Sequence, residues 1–329
     1  MYIGLAFLMT PSVSYATHIV GGDMTYRFIE QQGENNKYLF KINIYYDCFP
    51  LDGQAANDSD STITIAVYQR MTVSPELWRL VGNNSQLRMI TVRRSPLVKI
   101  DNPTFECIIP PASTCVYYGF FEFELILKRV DAPYMVTYQR CCRNNTITNL
   151  IQGGSTGANF FVELSAEAQR LGVSSPVFKN YPPTIICIGE SLNYDHSVID
   201  PDGDRLVYKF CPPYSSPGDR GRAGCYVSPG TGNYNCPPPL LYAQNLAQYP
   251  YDKPMGGSPL VTIDSLTGLI TGKPNSYGGY VVSVCVEKYR GNTLVGRTFR
   301  DFQFNVVYCP NIFLHKPTPH THHKSSVYP

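Results

Sequence analysis

Three carboxylates stand two residues apart on a turn-forming stretch: Asp200, Asp202 and Asp204 in IDPDGDRLVY, with Pro201 and Gly203 between them. Hard Ca²⁺ takes several oxygen ligands at once, and alternate aspartates on a tight turn can aim theirs at one point. Glu190 and Asp195, just upstream, complete a candidate set of five calcium ligands. An EF-hand is excluded, because its sixth position is not Gly203 and its twelfth is Cys211 where a Glu is needed. Asp, Pro and Gly are equally the residues of a plain turn leading into a strand, and both readings stay open.

Eleven cysteines form the second chemical signal, and their number fits an oxidising compartment better than a reducing one. Cys107 with Cys115 and Cys225 with Cys236 are the candidate short-loop bridges. Cys141 and Cys142 are neighbours. On a strand they would point to opposite faces and bond different partners, Cys48 being one candidate. A catalytic cysteine is not expected, since only His18 and His196 in the folded part could serve as its base, and no CxxC pair is present to hold zinc. Many acids are present, but nothing in their spacing pairs two across a sugar cleft as a glycosidase requires. No catalytic residue is assigned.

The remaining composition describes the scaffold. With 25 Tyr and 16 Phe among many β-branched residues, and 27 Pro and 26 Gly as punctuation, the chain suits strands and not long helices. Net charge is only +2, and the basic groups Arg93-Arg94 and Arg140 to Arg143 read as solvated or cross-strand charges, so nucleic acid is not an expected partner. Residues 2–9 are apolar, and Ser14 and Ala16 bracket Tyr15 as an export-signal cleavage site, with Ala16 its last residue. No basic residue precedes Arg27, which suggests a longer signal than the one seen here. No stretch is apolar enough to span a membrane.

Alternation of apolar and polar residues predicts strands at 37–47, 61–69, 87–92, 116–127, 134–139 and 158–164, with a helical turn at 163–170. After a Pro-stiffened connection at 175–183, further strands are expected at 205–211, 260–263, 268–271, 279–289 and 298–308, with 212–252 as a long insertion. The expectation is an all-β protein of two tandem β-sandwich domains with disulfides. It divides into a signal peptide at 1–16, sandwiches at 17–178 and 179–310, and a His- and Pro-rich tail at 311–329 that carries His315, His320, His322 and His323.

DPDGD followed by LVY, then TIDSLTGLITGKP and GYVVSVCVE, resembles the cadherin-like or immunoglobulin-like modules of bacterial surface proteins. That resemblance implies calcium on the first-turn aspartates, near the 175–183 connection. THIVGGDMTYRF, YYDC, YQRCCRNNTITN, SSPVFKNYPPTIICIGE and CVEKYRGNTLVGRTFRDFQFNVV are similar, across nearly the whole chain, to PKD-domain or gliding-motility-associated extracellular proteins of Bacteroidetes. This second resemblance implies export, frequently with a C-terminal sorting domain that this chain lacks, and no catalytic activity. Either the chain is the N-terminal part of a longer protein or it reaches the surface by another route.

The expected role is that of an exported cell-surface structural or adhesive module, part of an adhesin or extracellular filament. Its partners would be other surface proteins, further copies of itself, or polysaccharide. The alternatives are a secreted carbohydrate-binding module, which needs aromatic residues on one face or around the 212–252 insertion, and a secreted hydrolase, which needs a concave pocket with convergent carboxylates.

Overall fold

The computed structural model describes residues 19–47, 61–83, 86–87, 89–100, 116–183, 185–216, 225–227 and 234–309. Ala16, Cys48, Cys107, Cys115 and the 311–329 tail lie outside the described residues.

The first half holds β1 (Ile19–Gln32), β2 (Asn35–Asp47), β3 (Thr62–Arg70), β4 (Trp78–Leu80), β5 (Met89–Arg93), β6 (Val98–Ile100), β7 (Val116–Lys128), β8 (Tyr134–Arg140) and β9 (Ala158–Leu164). A single short α-helix follows, α1 (Ala166–Leu171). The Ser165 hydroxyl accepts from the Ala168 amide to start it, and Gly172, at φ 59°, ends it. Glu163, expected in that helical turn, stays in β9 instead.

The second half holds β10 (Leu192–Asp195), β11 (Arg205–Phe210), β12 (Tyr214–Ser215), β13 (Leu241–Tyr242), β14 (Thr262–Ile263), β15 (Leu269–Gly272), β16 (Gly278–Arg290) and β17 (Thr293–Val307). The protein is therefore nearly all β, in several sheets.

The largest sheet has the order β11-β16-β17-β1-β2-β7-β6, with Ile186–Cys187 parallel to β17 as its eighth strand. A second sheet runs β9-β8-β3-β4, with β5 also paired to β3. A three-stranded sheet runs β10-β15-β14. Side chains alternate between the faces of a strand, so the register assigns each residue of the large sheet to a side. Asp23 lies opposite Arg300, which shares its face with Phe302 and Phe304; Gly22 lies opposite Asp301 and shares the other face with Met24.

Two cores form on these opposite faces. Met24, Phe40, Ile42, Ile44 and Phe121 pack against Val136, Phe160 and Val162 of the second sheet. Phe40 stacks on its cross-strand neighbour Phe123 at 5.3 Å, and truncating so enclosed a ring would cost about 3–5 kcal/mol. Val282, Val284, Phe302 and Phe304 pack on the other side against Leu192, Tyr194 and Ile270 of the three-stranded sheet. The expected two tandem domains divided near residue 178 are not confirmed: β1 hydrogen-bonds directly to β17, and the second core takes in Val20, Tyr45 and Val116 from the first half.

Described residues of the insertion share the remaining face of β16 and β17 with residues 147–150 and with Phe161 of β9. Ala243 packs with Ile147, Leu150 and Val281, and β12 pairs with β13. The Asn149 side chain bridges the two parts, donating to the carbonyls of Pro254 and Val281 and accepting from the Val281 amide at 2.9 Å.

Candidate functional site

The three turn aspartates converge: oxygens of Asp200, Asp202 and Asp204 all lie within 4.8 Å of one another. The turn folds locally as Asp-Pro-Asp-Gly dictates. Asp200 Oδ2 accepts from the Asp204 amide at 2.6 Å, and Gly203 adopts φ 72°. Asp202 reaches back to the end of the first half, where its carboxylate accepts from the Ser174 amide at 2.8 Å. The cluster therefore sits beside the 175–183 connection.

At its centre is an ammonium group. Lys288 of β16, 1% exposed, places Nζ 2.7 Å from Asp200 Oδ1 and 3.2 Å from Asp204 Oδ2, in direct contact with Asp202, and donates to the Ser174 carbonyl at 2.9 Å. Arg290 adds two parallel bonds of 2.8 Å to Asp204, and holds that carboxyl below its ordinary range. Three negative charges meet two positive ones. Calcium needs six to eight oxygens around a free point. Here the point of convergence belongs to Lys288, so the residues do not fit a calcium ion.

The other two candidate ligands lie apart. Asp195 accepts from the Ser197 amide at 2.9 Å and from Asn180, and these bonds, with Ser197 foremost, keep its carboxyl below the usual value. Glu190 is exposed, and its amide closes a turn onto the Cys187 carbonyl.

Among the described cysteines, Cys187 and Cys309, Cys211 and Cys285, and Cys225 and Cys236 lie at disulfide distance, with Cα separations of 5.4, 5.9 and 4.0 Å. The first two pairs were not anticipated from the sequence. Cys211 directly follows β11 and Cys285 lies on its neighbour β16, so the pairing of those two strands was the available signal. Cys141 and Cys142, expected to face apart, sit instead at disulfide distance from each other. Strand β8 ends at Arg140, so strand alternation does not govern them.

Further buried charges brace the junction of β1 and β17. Arg300 donates to Asp23 at 3.0 Å and to the Asn180 carbonyl at 2.9 Å, and lies 3.8 Å over the Phe178 ring. On the opposite face, Arg143 grips Asp301 through two nitrogens, the first at 2.9 Å, and also donates to the carbonyls of Gly157 and Tyr214. Arg143, expected among solvated charges, is 1% exposed and Asp301 fully enclosed. His196 is buried between the rings of Phe178 and Tyr194, with no hydrogen-bond partner for either ring nitrogen among the described residues; burial first, and then the nearby Arg300 charge, push its pKa well below the usual value.

One carboxylate escapes this pattern. Glu163 on β9 borders a cleft of about 300 Å³, between the second sheet, the outer half of β17 and the insertion, with walls that include Trp78, Phe161, Tyr214 and Tyr242. Tyr214 stands edge-on to Phe161 at 4.8 Å and lies beside Tyr242 at 4.8 Å. Glu163 has no hydrogen bond or ion pair among the described residues. Desolvation raises its pKa, against the opposing pull of Arg70 and Arg297.

The chain matches no family model and no curated protein. No helix among the described residues is long and apolar enough to cross a membrane.

Proposed function

We propose that this chain is an extracellular, cell-surface structural or adhesive module that acts by contact and not by catalysis. The observation that carries this reading is the fate of the buried charges. Asp23, Asp301 and the three turn aspartates are each neutralised by a buried or flanking Arg or Lys, an arrangement that stiffens a scaffold and leaves none of these five poised for proton transfer. The cleft supports the hydrolase alternative poorly, since Glu163 is the one carboxylate lining it among the described residues. Cysteine pairs at disulfide distance suit an oxidising exterior.

The test is antibody labelling of intact, unpermeabilised cells that produce the chain, combined with retention of the purified protein on those cells. Labelling and retention are expected. An antigen reached only after permeabilisation would sink the reading.

A further inference from the structure

Asp23, Asp301 and the turn aspartates each have a cation, whereas the half-buried Glu163 has none among the described residues and lines the aromatic cleft. Its carboxylate oxygens are not enclosed, so a ligand that displaces the water on them must supply hydrogen bonds in its place. The surroundings narrow the ligand's chemistry. Arg297 lines the same cleft, so an incoming cation meets a like charge there, while an anion meets Glu163 itself. A purely apolar group would leave Glu163 facing it without a hydrogen bond.

What remains is a neutral ligand with hydroxyl groups on its edge and an apolar face: a pyranose ring, whose C–H face lies on aromatic rings while its hydroxyls bond a carboxylate and a guanidinium. We propose that the cleft bordered by Trp78, Phe161, Glu163, Tyr214, Tyr242 and Arg297 binds a neutral sugar unit of a polysaccharide. Tyr242 is 56% exposed and provides the outer platform. Glu163 accepts from adjacent hydroxyls, and Arg297, which also bonds Glu287 at 2.8 Å, donates to a third. The cleft volume lies at the lower end for small-ligand pockets, in keeping with one ring seated and its neighbours extending outside. This site does not depend on the cell-surface role, and either can fail without the other.

Trp78 is the chain's single tryptophan and lines the cleft, so the protein carries its own reporter. The full chain is titrated with cellohexaose, mannohexaose and xylohexaose as neutral probes, and with hexagalacturonate and chitosan hexamer as charged ones. Tryptophan emission and calorimetry are followed together. At least one neutral hexamer is expected to bind and to change Trp78 emission. Tyr242→Ala should weaken it roughly fivefold or more, and Glu163→Gln roughly tenfold. Unchanged thermal unfolding would show that both variants remain folded. Absence of binding by all three neutral hexamers, binding of the charged ones alone, or binding that leaves the emission and both variants unaffected would each overturn the assignment.

Discussion

Asp23 and Arg300 face each other on adjacent strands, and the 3.0 Å bond between them ties the first described strand of the chain to the last. One residue along, on the other side of the same sheet, Asp301 is held by Arg143. The seam between the halves is therefore clamped from both faces.

Breaking one side of a buried clamp is more harmful than removing it whole. Arg143→Met strands the Asp301 carboxylate and should cost about 3–5 kcal/mol, whereas Arg143→Met combined with Asp301→Leu should recover much of the loss. Urea unfolding of the two variants decides; equal losses would show that the pair itself, and not the stranded charge, sets the cost.

For the turn aspartates, the unmodified protein should melt at the same temperature with millimolar calcium and with chelator. Lys288→Met leaves the three carboxylates with Arg290 alone and should lose about 3–5 kcal/mol. Calcium should restore part of that loss, since the vacated point then resembles an oxygen cage. A calcium-dependent rise in the unmodified protein would contradict the placement of Lys288.

Acid should weaken the protein through His196 before the carboxylates titrate. Its pKa is lowered from 6.5 in the folded state, so the unfolded chain takes up a proton that the folded chain refuses. The contribution is complete above about pH 6.5 and declines as pH falls below it. Unfolding midpoints measured at about pH 7.5 and 5.5 should differ less in His196→Gln than in the unmodified protein.

Digestion under non-reducing conditions should yield the linked peptides 187–309, 211–285 and 225–236, read by mass spectrometry. Cys211→Ser with Cys285→Ser, opening a loop with a sequence separation of 74, should lower stability by about 2–4 kcal/mol.

The strands that alternate cleanly were legible in the sequence: 158–164 matches β9 residue for residue, and 205–211 differs from β11 by one. The strand that joins the halves was not. β1 contains Gly21 and Gly22, is buried on both sides at its start, and has an irregular register between Ile19 and Gly21, so it shows no period of two. Those glycines are the mark of what it does. A Cβ at Gly21 would stand 2.2 Å from the Asp301 carbonyl oxygen, and one at Gly22 2.5 Å from that of Asn43, so only glycine lets the neighbouring backbones approach.

The aspartate cluster was legible as a cluster, but its cation was not, because Lys288 lies more than eighty residues away and reads locally as one charge on an alternating strand. Glu163 was hidden in the same way, since only the fold shows that the insertion's tyrosines come round to meet it.

Because β1 and β17 are antiparallel neighbours, Ile19 and Val307 lie at the same end of the large sheet. Those two ends of the described chain stand side by side, while the β16–β17 turn at residues 290–293 lies at the far end, with Arg297 and the cleft nearer to it. A pull on both of those ends would open the β1–β17 pairing from Gly21 and Phe302 inward and come to the Asp23–Arg300 clasp third, with the Cys187–Cys309 pair bracing the end of β17 against it.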